Sequence, residues 1–217
     1  MEVLMNDTNH DIFTRLLERY PDLKTCAAEI LAAAEILKKA VCEGNKILIC
    51  GNGGSAADAD HITGELLKSF CKKRPLKKEF AEKLKELDHD AGPVLANSLQ
   101  GGIPAISLTH HTALTTAFGN DVDPNMAFAQ QCHVFGKEAD VFWGISTSGN
   151  AKNVYYAALA AKAHGLKTIG MTGADGGKLK TICDICIYVP RRETYEAQEL
   201  HLPVYHALCL YLEDNVW

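Results

Sequence analysis

A chain of 217 residues with a formal net charge of −5 is long enough to bury one large core and suits a single α/β domain, read as residues 1–217. No basic run is longer than Lys72-Lys73-Arg74, which argues against a nucleic-acid-binding surface, and nothing reaches the about 18 apolar residues of a membrane span. The opening MEVLMNDTNHDIF has no basic region followed by an apolar one, so a cytoplasmic protein is expected.

In chain order, residues 1–44 form an N-terminal helical region. One or two helices run from about residue 8, the clearer being TCAAEILAAAEILKKAVCEG, with Gly44 as a natural stop. A long apolar-faced helix ahead of the first strand either covers the sheet or pairs with another subunit. An apolar run, Ile47 to Cys50, then stops at the turn Gly51-Asn52-Gly53-Gly54, and Ser55 opens a helix through Leu66. Residues 72–102 read as an insertion. In it, KKEFAEKLKEL is a charged amphipathic helix and DHDAGPVLANSLQGG a Gly/Pro-punctuated loop, together a solvated surface feature rather than a lid.

Order resumes with a strand, Ile103 to Leu108, a loop THHTALTTAFGND, and a helix around Met126 to Lys137. DVFWGIS is an apolar strand that ends in a second hydroxyl-rich turn, Ser146-Thr147-Ser148-Gly149-Asn150, before the helix AKNVYYAALAAKAHG. KTIGMTG and DICIYVP are two further strands around a short helix, and a last helix from about Thr194 is broken or kinked at Pro203. Strands alternating with helices predict a mostly parallel sheet flanked by helices, a three-layer sandwich, with any ligand at the carboxyl ends of the strands. Of the eight cysteines, most lie in apolar runs and read as buried free thiols. Cys183 and Cys186 form a CxxC, but inside TICDICIYVP, which reads as a strand, and no second CxxC completes a zinc site.

The two glycine- and hydroxyl-rich turns carry the chemistry. Glycines let backbone N–H groups approach an anion, hydroxyls donate, and each following helix offers its positive end, so a phosphorylated small molecule fits without a lysine. Gly51-x-Gly53-x-x-Ala56 matches the dinucleotide fingerprint formally, but CKKRP stands where the acidic residue after a second strand belongs, and no lysine follows the glycines as a P-loop needs. On the helix after the first turn, His61 and Glu65 are four residues apart and share a face, suited to one proton transfer or one metal. His206, between Tyr205 and Ala207 on an apolar face, reads by itself as a core histidine.

GNGGSAADADHITGEL, the GND at Gly119 to Asp121, GISTSGN, TGADGG and TYEAQELHLPVYH, in that order, together resemble the phosphoheptose isomerases of the sugar isomerase (SIS) domain family. The resemblance covers nearly the whole chain outside 72–102. It implies a cytoplasmic homotetramer that converts sedoheptulose 7-phosphate to D-glycero-D-manno-heptose 7-phosphate through an enediol, the entry to heptose for surface glycans. By position it implies substrate contacts at Asn52, Gly53, Gly54, Ser55, Glu65, Asn120, Asp121, Ser146, Thr147, Ser148 and Gln198. Glu65 would be the base and His206 the acid, and His61, Glu65, Gln198 and His206 match the ligands of a zinc site seen in some members. Ala151 departs from the serine usual after the STSGN asparagine, which removes one expected phosphate hydrogen bond.

Gln198 and His206 are eight residues apart, about 12 Å of rise in a straight helix, so one chain does not easily bring both to one ion. Sites completed across subunits are the expectation. Two other readings share the turns: an isomerase or sensor for another sugar phosphate, and a non-catalytic SIS protein that binds the bacterial replication initiator. The second is disfavoured because His61, Glu65, Gln198 and His206 are all present.

Overall fold

The computed structural model describes residues 7–217, with side chains from residue 11 onward; the first six residues, part of the stretch read for a leader, lie outside them. Five parallel strands, β1 (Ile47–Cys50), β2 (Ala105–Ser107), β3 (Val141–Ile145), β4 (Lys167–Thr172) and β5 (Ile185–Tyr188), form one sheet in the order β2-β1-β3-β4-β5. The strands are buried on both faces, as continuous aliphatic runs require. Alternate residues point to opposite layers: Ile47, Ile49, Val141, Trp143, Ile169 and Met171 enter one core, and Leu48, Cys50 and Phe142 enter the other.

The first layer holds α2 (Ala27–Cys42), α3 (Gly54–Leu67) and α10 (Thr194–Val216), with α1 (Asp7–Arg19) packed against α10. A 3-10 turn at Pro21–Cys26 joins α1 to α2, and Gly44, at φ +82°, ends the helical region as expected. The helix ahead of the first strand therefore covers the sheet. The opposite layer is built from α7 (Ala127–Phe135), α8 (Lys152–Ala163) and α9 (Leu179–Ile182).

Three expectations are corrected. The stretch read as a Gly/Pro loop contains α5 (Ala91–Ser98), folded back on α4 (Lys78–Leu87). Pro93 sits in the first turn of α5, where its missing N–H has no partner to lose, and the Asp88 carboxylate accepts the N–H groups of Asp90 and Ala91. Gly92 marks a close approach: a Cβ there would lie 2.1 Å from the Leu84 carbonyl oxygen. The stretch read as the loop THHTALTTAFGND folds as α6 (Thr112–Asp121), which buries none of its residues and so lacks an apolar stripe to betray it. The last helix, read as broken or kinked at Pro203, is not broken there: α10 runs through that residue. Pro203 forfeits one backbone bond, and the buried Leu200, His201, Val204 and Tyr205 around it hold the turn. In addition, β5 begins only at Ile185, so Cys183 precedes the strand.

The 72–102 segment is tied down at its base. Arg74, fully buried, donates from Nε to Glu213 at 2.7 Å, and from its other nitrogens to the carbonyls of Leu66 (2.9 Å) and Glu65 (3.2 Å). Glu213 also accepts the N–H groups of Phe70, Cys71 and Lys72. The Trp217 ring lies 4.9 Å from the guanidinium, and Gly101 N–H donates to the Arg74 carbonyl. Burial alone would raise the Glu213 carboxyl, but three N–H donors and Arg74 together hold it below the usual carboxylate range.

Candidate active site

The first site forms where β1 and β3 end. Gly51 must be glycine, because a Cβ would lie 2.4 Å from the Ser55 carbonyl oxygen, and Gly53 sits at φ +55° immediately before α3. The second turn is braced by a third: Gly149, at φ +65°, packs on Gly176 so tightly that a Cβ would approach its carbonyl oxygen to 2.1 Å. Gly173 N–H donates to the Thr147 carbonyl at 2.8 Å, and Leu179 N–H to that of Gly149 at 3.0 Å. The TGADGG segment thus supports the STSGN turn. A side-chain clasp joins the first two turns, with the Asn52 and Asn153 amides each donating to the other at 2.9 and 2.8 Å.

These turns enclose a cavity of about 360 Å³ lined by Asn52, Gly53, Gly54, Ser55, Ser146, Thr147, Ser148, Ala151, Thr194 and Gln198. No acidic side chain lines it, and the first turns of α3 and α8 carry none. Two helix N-termini with glycine-exposed backbone and three serines and two threonines make an anion site. Gln198 reaches it from α10 and fills the space beside Gly54, whose Cβ would lie 2.6 Å from Nε2. The spacing of residues pointed to both turns. It did not point to Asn153, a lone amide in the first turn of α8 whose partner is 101 positions away.

The second group lies between α3 and α10. His61 Nε2 is 3.3 Å from Glu65 Oε1, and Lys68 holds the other carboxylate oxygen at 3.1 Å. His61 Nδ1 is 2.9 Å from the Tyr205 hydroxyl. The His206 ring stands edge-on to His61 at 5.1 Å and touches Phe70. Burial first, and His61 second, lower the proton affinity of His206, against an opposing pull from Glu65. His206 also borders a separate cavity of about 550 Å³ between α1 and α10, with Arg15, Arg19 and Lys72 among its lining.

The chain thus gathers the two turns with Gln198 in one place and His61, Glu65 and His206 in another, two turns farther along α10. Asn120 and Asp121 are exposed at the end of α6, bonded to each other at 2.8 Å, and border neither cavity. As a donor set, two imidazoles and a carboxylate suit zinc in kind, and His206 Nε2 is buried without a hydrogen-bond partner. Among the described residues, no three His, Cys, Asp or Glu side chains converge closely enough to hold an ion within the chain. None of the described helices is long and apolar enough to cross a membrane.

The sequence matches the SIS domain family over residues 11–97 and 86–173. A phosphoheptose isomerase of Aneurinibacillus thermoaerophilus is 40% identical over 174 residues, covering 80% of this chain and 75% of the relative. Two solved structures share the architecture. The phosphoheptose isomerase GmhA of Neisseria gonorrhoeae superposes with a TM-score of 0.72 at 30% identity, over 95% of this chain and 96% of that one. A phosphoheptose isomerase of Francisella tularensis gives 0.74 at 28% identity, over 97% and 100%. Turns, sheet order and relatives agree, and the chain belongs to the phosphoheptose isomerase family of SIS-domain proteins.

Proposed function

We propose that the protein is an aldose–ketose isomerase that interconverts sedoheptulose 7-phosphate and D-glycero-D-manno-heptose 7-phosphate in the cytoplasm. The observation that carries this reading is the anion cradle at the carboxyl ends of β1 and β3, opened by the same helix, α3, that bears His61 and Glu65. Asn52, Gly53, Gly54, Ser55, Ser146, Thr147 and Ser148 hold the phosphate end, and Gln198 the sugar.

The chemistry needs one proton moved between neighbouring carbons and one between their oxygens. Glu65 takes the proton from C1 of the ketose; the C1–H bond breaks, the electron pair forms the C1=C2 bond of the enediol, and the proton returns at C2. His206 takes the O1 hydroxyl proton and passes it to O2. Zinc, when bound by His61, Glu65 and His206 with Gln198, supplies polarisation of the carbonyl.

The assembly belongs to the same proposal. Gln198 and His206 border different cavities on one helix, and α4, α5 and α6 bury almost nothing. Both facts support a homotetramer whose sites are completed across interfaces, with Asn120 and Asp121 contributed by a neighbour. The test is turnover of sedoheptulose 7-phosphate by wild type and Glu65→Gln, run beside sedimentation. Turnover that falls about 10²–10⁴-fold in the variant, the worth of a general base, supports the reading; a wild type that binds but never turns over the sugar overturns it. A fully active monomer overturns the shared site. A second reading, another sugar phosphate, is favoured by Ala151, which lines the cradle where a serine is expected; a panel of phosphorylated aldoses and ketoses tests it.

A further inference from the structure

The helical hairpin of the 72–102 segment stands away from the rest of the fold. Among the described residues, α4 and α5 pack on each other and make no extended contact with any other helix or strand. No residue of α4 is buried, and in α5 only Gly92 is. The hairpin is nevertheless well built. Gly92 packs on the Leu84 carbonyl, Asp88 accepts the N–H groups of Asp90 and Ala91, and Arg74 with Glu213 fixes the base. Helices of 10 and 8 residues fall below the about 12–15 at which an isolated helix is even marginal in water, so packing has to hold them. That packing is incomplete within the chain. Leu87 is 83% exposed and Val94 63%, with Phe80, Leu95 and Leu99 exposed beside them, and α5 carries no charged side chain at all.

The charges indicate what covers it. The base of the hairpin carries Lys73, Lys77 and Lys78 and its tip Glu86, Asp88 and Asp90, all exposed. Between them, Glu82 and Lys85 pair with each other at 2.9 Å. A second copy laid antiparallel about a two-fold axis sets each basic base against the other's acidic tip, whereas a parallel copy sets like charge against like. From this complementarity we infer that the hairpin is an assembly arm, which pairs antiparallel with the hairpin of a second copy of this chain and buries the uncharged α5 and Leu87 in the contact. Such a contact is isologous, the same patch serving both partners. Its apolar side chains supply the buried area, and its charged ends select the partner and fix the orientation. The inference deepens the assembly part of the proposed function and rests on it only for the presence of a second copy. None of the proposed site residues lies in the hairpin, so this contact is additional to the one that completes the site.

The experiment is sedimentation of the full-length protein over a range of concentrations, together with hydrogen exchange of the α4 and α5 amides. Lys77→Glu with Lys78→Glu turns attraction into repulsion at one end of the contact, and Glu86→Lys with Asp90→Lys does so at the other. Each pair of substitutions should raise the dissociation constant about tenfold or more and speed exchange in both helices. All four together should restore both readouts, a rescue that a merely misfolded variant does not give. Equal masses for all four proteins, or α4 and α5 amides that exchange unprotected in the wild-type assembly, overturn the proposal. Protection that appears only with sugar phosphate bound overturns it too, since that marks a lid. A monomeric wild type removes this contact and the shared site together, whereas an assembly indifferent to the charge reversals removes this contact alone. Because mass and exchange are read without substrate, absence of turnover on sedoheptulose 7-phosphate would sink the isomerase reading and leave this result to stand or fall separately.

Discussion

Replacing Arg74 by methionine removes the charge and every donor of the guanidinium while keeping much of the side-chain volume. Arg74 and Glu213 are both fully buried, and deleting one partner of a buried ion pair costs about 3–5 kcal/mol because the other charge is stranded. Here part of that charge keeps support: three backbone N–H groups still face the Glu213 carboxylate. Against this, two carbonyls in the last turn of α3, those of Glu65 and Leu66, lose donors at a helix end that has no intrahelical partners to offer. We therefore expect the full range, about 3–5 kcal/mol. Urea unfolding followed by far-UV circular dichroism reads it. With a slope of about 2–3 kcal/mol/M, the midpoint should fall by roughly 1–2.5 M. Glu213→Leu should cost more than Arg74→Met, since it strands the guanidinium and three N–H groups together. A loss below about 1 kcal/mol in Arg74→Met, inside the range of a surface pair, would refute the view that this pair clamps the 72–102 segment to α3.

Other outcomes follow from the site and its supports. Gly149→Ala places a Cβ 2.1 Å from the Gly176 carbonyl oxygen at φ +65°; the left-handed backbone alone costs about 1–2 kcal/mol, and a raised KM with a lower Tm should report the deformed turn. His201, fully buried, is pushed down from 6.5 to about 4, by burial first, with its bond to the Thr172 carbonyl opposing. A depressed histidine stays neutral in the fold while the unfolded chain takes up a proton below pH 6.5, so stability is present above 6.5 and lost as pH falls toward 4. The integral is about 3 kcal/mol at 1.36 kcal/mol per pH unit; urea midpoints of His201→Gln across this window should slope less than wild type. Chelation of zinc followed by its return should lower and restore turnover if the proposed ligand set is used, and an unchanged rate after complete removal would dismiss the ion.

The strands and the two turns were legible because their signals are local. Ile47–Cys50 and Val141–Ile145 are apolar runs that stop at glycine, serine and asparagine, and a parallel sheet follows from their alternation with helices. His61 and Glu65 were legible for the same reason, as an i,i+4 pair on one helix. The misreadings share an opposite cause. In α5, Gly92 and Pro93 act as packing and first-turn residues only because α4 lies against them, and α6 buries no residue whose periodicity could announce it.

By itself, then, the sequence determined the period of each buried element, the places where backbone must turn tightly, and the residue types present to bind an anion and move a proton. These depend on neighbours within about one helical turn. Tertiary structure alone decided the pairings across long separations: Arg74 with Glu213, Asn52 with Asn153, Tyr205 with His61. It also decided that Gln198 joins the glycine turn while His206 joins His61, two turns apart on one unbroken helix. Hydrogen bonds and ion pairs of this kind carry no local pattern, because what selects each partner is the three-dimensional cost of leaving the other buried and unpaired.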